Sequence, residues 1–449
     1  MSNPIETVFP NAAQISRMNG YLKEIAVALK GGSLAEDDIA DIIANVRAGL
    51  GPELYPVGTI INIPEYNSAT VAVQGTGVTA ATVDGHAFCE AKGNAAGGVY
   101  VLTFSGAWEM SGRYVNPTDY GLAITGTPVV GDKLVVTITS NDRAYVVAQH
   151  NGYATIPAAP HMTLVAVDVI YGRPLDDQEA FLCAEAAIPA GTYNFTIPET
   201  VGSWPAGTYQ FTTTAEHPAG SLFRISGQWN TALTSLKVNV FHGAGDASAS
   251  EACVITSGSG GTSLGTFGTE LNHTHRAAYG SNNYAQSNIR QFINSEAAGG
   301  AYLVKKTKYD MYNGTYRTLA GFLRNFGRDL KDALLSTELT LATNNIFEID
   351  YTTGSSYTIK DKVFLLSMTE LGWGNNNNIA EGSLLDLYVG ASNADRIKYD
   401  ISSGVARYWW LRSCYPGSAY LGRFVYADGS LHIYGALYGL GLVPAFNIG

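Results

Sequence analysis

The chain reads as a multidomain, β-rich protein, with short N-terminal helices, β-sandwich-like domains and a C-terminal α+β domain. Three observations predict this. Charged residues make up 14% of the 449 residues, while glycine contributes 50 and tyrosine 27. Glycine at turns and tyrosine on half-buried faces is a composition suited to sheets. Apolar residues alternate with Thr and Ser from about Val57 onward, whereas helical spacing is confined to the start of the chain and to a stretch after about residue 270. A chain of this length exceeds one ordinary core, so several domains are expected.

Residues 1–52 form the predicted N-terminal helical region, for oligomerisation or attachment. In "NAAQISRMNGYLKEIAVALKGG", Ile15, Met18, Leu22, Ile25 and Leu29 make an a/d seam over two heptads, ended by Gly31 and Gly32. Ser33 and Glu36 form a capping box before a second helix, whose apolar face is Ile39, Ile42, Ile43 and Val46. Two heptads are too few for a free coiled coil, so the seam needs neighbours. Either it oligomerises or docks into a larger assembly, or it packs as a hairpin on its own chain.

Residues 53–150 are expected to be a β domain. "TVAVQGTGVTAATVDGHAFCEAKGNAAGGVYVLTFSGAWEM" and "YGLAITGTPVVGDKLVVTITS" read as strands broken by glycine turns, and "NGYATIPAAPH" as a linker. Residues 151–268 form a second β-rich segment, a spacer. It carries a local repeat, "PAGTYNFT" from Pro189 and "PAGTYQFT" from Pro205. Each copy is a turn feeding a strand with Tyr and Phe on one face, and the two are expected to be neighbours in one sheet. "SGSGGTSLGTFG" reads as a loop. Residues 269–449 then hold two helices, "SNNYAQSNIRQFINSEA" and "YRTLAGFLRNFGRDLKDALLS", a buried strand "DKVFLLS", and several short strands.

Composition excludes some functions. The formal charge is −11 and there is no basic tract, so nucleic-acid binding is not expected. No apolar run reaches membrane-spanning length, and the N-terminus lacks signal-peptide features, so a soluble chain made in the cytoplasm is expected, without membrane insertion. The four cysteines, Cys89, Cys183, Cys253 and Cys414, form no CxxC and are read as buried thiols, although Cys183 and Cys253 could pair within one domain. His273 and His275, two apart in "NHTH", would face one way on a strand, but no third ligand is recognisable nearby. No metal and no cofactor are expected. Asp176 with Asp177, or Glu381 with Asp386, would be the carboxylate pair of a glycan-cleaving enzyme. Nothing distinguishes them from solvated loop acids, and there is no P-loop or Rossmann fingerprint. The chain is therefore read as a non-enzyme.

The C-terminal stretch "RYWWLRSCYPGSAYLGRFVYADGSLHIYGALYGLGLVPAFNIG" is different. "YWWLRS", "GRF", "DGS" and "LVPAFNI" look like framework, with Trp409, Trp410, Leu411, Pro444 and Phe446 as its floor. Between them stand Cys414, Tyr415, Ser418, Ala419, Tyr420, Leu421, Tyr426, Ala427, His432, Tyr434, Ala436, Leu437 and Tyr438. Tyrosine supplies contact area at low entropic cost, and small residues let it settle on irregular surfaces, as in antibody-like paratopes. These thirteen residues are the candidate ligand-binding surface. The plainer reading is a Tyr-rich meander covering the core.

The order "DKVFLLSMTELGW", "EGS", "ADRIKYD", "YWWLRS", "DGS", "GLVPAFNI" resembles the C-type lectin-like domain of phage and bacterial proteins diversified by retroelements. The resemblance covers about residues 270–449. The "YGLAITGTPVVGDKLVVTIT" segment is similar to modules of phage tail and fibre proteins. The resemblance implies randomisation of template adenines, usually in Asn codons, which cannot yield Glu, Lys, Gln, Met or Trp. From Cys414 to Gly449 none of these five occurs in 36 residues, although they supply 50 residues of the chain. About four would be expected at average composition. The Glu-Pro-Asn, Gln-Pro-Asp and Trp-Asn-Asp motifs of calcium-dependent lectins are missing, as are the usual lectin disulfides and the reactive cysteine pair of the related formylglycine-generating enzymes. Calcium is therefore not expected. The function implied is a phage-type receptor-binding or adhesin protein of the virion, whose C-terminal lectin-like domain displays a retroelement-diversified ligand-binding surface. Its partners would be a host-cell surface protein or glycan and other tail proteins, and it would be a homotrimer. The alternatives are a bacterial or prophage-encoded surface adhesin, or a glycan-cleaving tail enzyme.

Overall fold

The computed structural model describes residues 38–170, 172–225, 232, 234–241, 247–266, 273–299, 319–342, 356–376, 378–416 and 418–449. The heptad seam and the Ser33/Glu36 capping box lie outside them. The structure is β-rich, with short helices and several sheets. It divides into two compact units, each assembled from separate chain segments. One comprises residues up to Val167 with Phe322–Thr337 and Phe446–Gly449, and the other comprises Asp168–Gly321 and Glu338–Ala445.

The first unit opens with helix α1 (Ile39–Arg47). Asp38 caps it, its side chain accepting from the backbone N–H of Ala40 at 2.9 Å and of Asp41 at 3.1 Å. The expected apolar face is buried through Ile39, Ile42, Ile43 and Val46. The sheet that follows is organised by one long strand. β1 (Ile60–Gln74) pairs with β3 (Lys133–His150) from Lys133 to Val146, and on the other edge of β3 lie β2 (Gly98–Phe104) along its first part and β4 (Met162–Ala166) along its last. Alternate residues Leu134, Val136 and Ile138 turn inward onto Leu102, Trp108 and Phe88, as period two requires.

Part of the stretch read as strand is helix α2 (Gly85–Lys92). Asp84 caps its start, accepting from His86 and Ala87, and Gly93 ends it at φ +100°, a conformation costly for any residue with a Cβ. The helix buries Phe88 and Cys89 against the sheet. "NGYATIPAAPH" is a closed loop between β3 and β4 rather than a linker. Asn151 N–H donates to His161 O at 3.0 Å, and His161 N–H returns to Asn151 Oδ1 at 2.8 Å. The predicted helix from "YRTLAGFLRNFGRDLKDALLS" is two pieces, a 3-10 turn (Phe322–Asn325) and a helix (Arg328–Ala333). They break at Gly327, where a Cβ would stand 2.3 Å from the Asn94 backbone.

In the second unit the repeat copies are β5 (Gly191–Ile197) and β6 (Gly207–Thr213), paired antiparallel from Gly191↔Thr213 to Ile197↔Gly207. Tyr193, Phe195, Tyr209 and Phe211 fill the core side. Thr192 with Thr212, and Thr196 with Thr208, pair on the other face, each at 3.0 Å. The tyrosine hydroxyl of each copy donates to the proline carbonyl four residues earlier, Tyr193 to Pro189 and Tyr209 to Pro205, both at 2.8 Å. The repeat is thus a unit of structure, with Pro, Gly and Tyr closing the turn together. "DKVFLLS" is a fully buried strand at Val363–Leu365. Helices α3 (His273–Tyr279) and α4 (Asn288–Ile293) complete the elements that bear on the site.

Candidate ligand-binding surface

The C-terminal stretch supplies three adjacent strands, β7 (Trp409–Cys414), β8 (Leu421–Val425) and β9 (Leu431–Gly435). They form one side of a five-stranded sheet, with β9 at its edge, that also includes Gly172–Arg173 and Leu440–Gly441. Every residue of β7 is buried. Each of its tryptophans is anchored through the indole N–H, since Trp409 Nε1 donates to Arg396 O at 3.2 Å and Trp410 Nε1 to Arg173 O at 2.9 Å.

Below the strand lies a polar network. Arg412 and Glu370, both wholly buried, form a bidentate pair at 2.6 and 2.5 Å. Arg412 also donates to Leu365 O at 2.8 Å and Glu381 O at 2.7 Å. Glu370 accepts from Ser367 N–H at 2.9 Å. The Glu381 carboxylate accepts from Ala342 N–H at 2.9 Å and from the Ser413 hydroxyl. Burial raises the Glu381 carboxyl above its ordinary value, against the lowering by these donors. The planar guanidinium fork thus ties β7 to two neighbouring segments and leaves the strand little freedom.

Above this floor the rings emerge by strand alternation. Gly422 pairs with Tyr434 and Phe424 with His432, so their side chains share a face, and Tyr426 continues it. Tyr408 stacks on Tyr426 at 4.4 Å, Tyr426 meets His432 at 4.8 Å, and Phe424 sits 6.0 Å from Tyr434. Tyr434 stacks on Tyr438 at 4.1 Å. Gly435 lets the row continue, because a Cβ there would come within 3.1 Å of Tyr438 and 3.5 Å of Tyr279. Tyr279 stacks on Tyr420 at 4.3 Å, and Tyr420 on His275 at 5.0 Å. The result is a contiguous aromatic strip. Tyr434, Tyr408 and Tyr426 are 42%, 37% and 36% exposed. Burial, then the neighbouring Tyr420 and Tyr438, push the Tyr279 hydroxyl up to about 12.

The thirteen sequence-predicted residues separate by depth. Tyr426, His432 and Tyr434 are exposed, and Tyr415, Tyr420, Leu421, Ala427 and Tyr438 are half-buried. Cys414, Ser418, Ala419, Ala436 and Leu437 are buried, and their side chains do not reach the surface. Cys414 sits at the inner end of β7, its thiol 3.4 Å from Ala342 O, and burial pushes its pKa up. Tyr415 lies apart from the strip, under the guanidinium of Arg423 at 5.5 Å. Sequence reasoning missed His275, Tyr279, Tyr408 and Phe424. Tyr279 is more than 140 residues from Tyr420 in sequence, and no local pattern signals their stacking.

The other candidates take structural roles. His273 and His275 lie on a helix, not a strand, so they diverge. His273 Nε2 meets Ala180 O at 2.7 Å in the interior, and His275 faces Glu199 at 3.2 Å. Asp176 is buried and accepts from Asn288 N–H at 2.9 Å and Ser281 N–H at 3.4 Å. Glu381 is sealed inside while Asp386 is exposed on a short 3-10 turn (Asp386–Tyr388), so they do not present two carboxylates to one open cleft. Sequence reasoning passed over a Gly-x-Ser-x-Gly run at 261–265, which lies along the Thr262–Thr266 strand, with Ser263 Oγ accepting from Gly265 N–H at 3.2 Å, so that Ser263 sits within a strand rather than on a strand-to-helix elbow. All four cysteines are free thiols. Among the described residues no group of three or more His, Cys, Asp or Glu is placed to hold a metal ion, and no helix is long and apolar enough to cross a membrane.

Residues 253–449 match the family model of a domain of unknown function, DUF6273. No curated protein and no solved structure matches the chain. The matched span includes β7, β8, β9 and helix α3, and therefore every ring of the aromatic strip. In that part, the chain is similar to a DUF6273 domain.

Proposed function

We propose that this chain is a phage-type receptor-binding protein whose C-terminal part is a C-type lectin-like module displaying a retroelement-diversified surface. The observation that carries the reading is the aromatic strip, an exposed row of tyrosines built on a strand fixed by a buried Arg412–Glu370 pair. Large rings on a rigid floor bind with little loss of side-chain entropy. Buried rings would serve as core cover, but Tyr426 and Tyr434 project from it. Contact through rings needs neither metal nor cofactor, and the reading assigns no catalytic group.

In this reading the partner is a protein or glycan on the host-cell surface. The N-terminal region joins the chain to other tail proteins and to two further copies of itself, and the protein resides in the virion. Sequencing the gene and its flanks from many isolates tests this. The expected result is a near-identical template repeat beside a reverse transcriptase, with substitutions at Tyr420, Tyr426, Tyr434 and Tyr438 matching template adenines. An invariant stretch without a template overturns diversification. A gene neighbourhood without tail genes moves the module to a bacterial surface carrier.

A further inference from the structure

We propose that loop 151–161, between β3 and β4, is an acid-sensitive latch that opens when the His161 ring takes a second proton. The inference concerns the first unit and stands apart from the ligand-display reading. Most of the loop is exposed, and its buried residues are Thr155, 7% exposed, and His161, 4% exposed. His161 is therefore its inner anchor, and two ring bonds fix its protonation state. His161 Nδ1 lies 2.9 Å from Ala159 O, and a carbonyl oxygen only accepts, so Nδ1 carries the hydrogen. His161 Nε2 accepts from the Tyr153 backbone N–H at 3.3 Å, so Nε2 carries none. The ring is thus a neutral tautomer clamped between the two arms of the loop. A proton on Nε2 would set N–H against N–H and remove the acceptor that the Tyr153 N–H uses.

The surroundings act in the same direction. His150, at the end of β3, is the titratable neighbour that acts on the ring, and a charge there disfavours one on His161. His150 Nε2 is itself held on Tyr55 O at 2.9 Å. On the other side Gly449 packs against Pro160 and His161, with Leu335 beside it, and neither brings a charged side chain. The loop's other titratable side chain is Tyr153. No carboxylate is among the groups that shift the ring. Burial and His150 hold the ring below the ordinary histidine value, against the Ala159 bond. The closed loop therefore binds fewer protons than the open loop between that lowered value and the ordinary one near 6.5. The latch is at full strength above about 6.5 and weakens as pH falls through that interval. The start of the loop depends on the same residue. Asn151 stands at φ +52°, a left-handed conformation uncommon outside glycine, and its side chain accepts from His161 N–H at 2.8 Å. Thr155 and Ile156 pair with Thr337 and Ser336, so opening also frees that short ladder.

The test is hydrogen exchange of the full chain, followed by mass spectrometry from about pH 7.5 to 4.5 and corrected for the intrinsic exchange rate. Protection of peptides covering 151–161 should fall below about pH 6.5, by up to about tenfold per pH unit, while β1 and β2 keep theirs. His161→Gln keeps an amide in place of the ring but cannot take the proton, so loop protection in that variant should not fall with pH. Loop protection unchanged down to the lowest pH, or an equal fall in His161→Gln, overturns the inference. A fall shared equally by β1 and β2 is global unfolding and overturns a local latch. A second measurement needs no folded variant. Nuclear magnetic resonance of the wild-type chain with ring-labelled histidine should show His161 as the Nδ1–H tautomer at neutral pH, titrating below the ordinary histidine value. An Nε2–H tautomer at His161, or a ring that titrates at or above the ordinary value while the loop stays protected, overturns the latch.

Discussion

Replacing Glu370 with alanine tests the support under the candidate ligand surface. Arg412 and Glu370 are both wholly inaccessible and joined through two hydrogen bonds. Arginine stays protonated in proteins, so removing the carboxylate leaves a buried cation. Its carbonyl acceptors, Leu365 O and Glu381 O, are neutral, and the Glu381 and Asp361 carboxyls feel the guanidinium only through space, so neither replaces the bidentate partner. Breaking one side of such a pair costs about 3–5 kcal/mol, whereas replacing both partners with apolar residues of similar size is often neutral or stabilising. Glu370→Ala should therefore lose about 3–5 kcal/mol, and Arg412→Met/Glu370→Met should lose much less. Urea denaturation can be followed by tryptophan fluorescence, because Trp204, Trp409 and Trp410 are buried in the same unit. A loss below about 1 kcal/mol for Glu370→Ala would refute the reasoning, because the pair would then behave like a solvated surface bridge.

Three further outcomes follow from single observations. Tyr193→Phe and Tyr209→Phe each remove the hydroxyl bond that closes a repeat turn, and each should cost about 0.5–1.5 kcal/mol in chemical denaturation. Cys89 and Cys253 are buried, with pKa values pushed up to about 11, and Cys414 is buried as well. A thiol reagent applied to the native protein should modify half-buried Cys183 first and the other three only on unfolding, as mass spectrometry would show. Burial raises the Glu381 carboxyl, so its ionisation opposes folding. Its contribution is full below the unfolded value near 4.3 and is lost as pH rises through the higher folded value. Glu381→Gln should remove that part of the stability–pH profile, and a profile identical to wild type would contradict it.

The sequence revealed most where the signal was local. Alternation found β1, β2 and β3, and the repeat correctly predicted two paired strands. It did not reveal that each repeat tyrosine bonds its own proline carbonyl, because that depends on the turn geometry. Helix α2 was hidden inside a Thr- and Val-rich run, although Asp84 and Gly93 were legible as caps. Assigning His273 and His275 to a strand put two diverging side chains on one face. At the surface, composition identified the tyrosines but not their depth. That Tyr434 shares a face with His432 and Phe424 follows only once the register with β8 is known. Tyr279 and His275 were beyond reach, since their place in the strip depends on packing between elements far apart in sequence.

Depth also limits how far a diversified surface could vary. Tyr426, His432 and Tyr434 project outward and their ring contacts are with other rings of the strip, Tyr408, Phe424 and Tyr438 among them, so replacing one removes ring stacking and little core. Ala436 and Ala419 are nearly or wholly inaccessible, and their backbones are tied to Tyr420 and Asn282. A larger side chain at either position must displace packed neighbours, at about 1–3 kcal/mol. Cys414 lies beside Ala342, with Asn376 Nδ2 on its carbonyl at 2.8 Å, and is equally constrained. Sister copies of the gene should therefore differ mainly at positions 415, 420, 426, 432, 434 and 438. They should keep small or unchanged residues at 414, 418, 419 and 436, even where template adenines permit more. Reading folded, expressed variants against the raw sequence pool measures this as depletion at the buried positions. Equal tolerance of large residues at 419 and 436 and at 426 and 434 would mean that the strip does not rest on the buried floor from which its rigidity is argued.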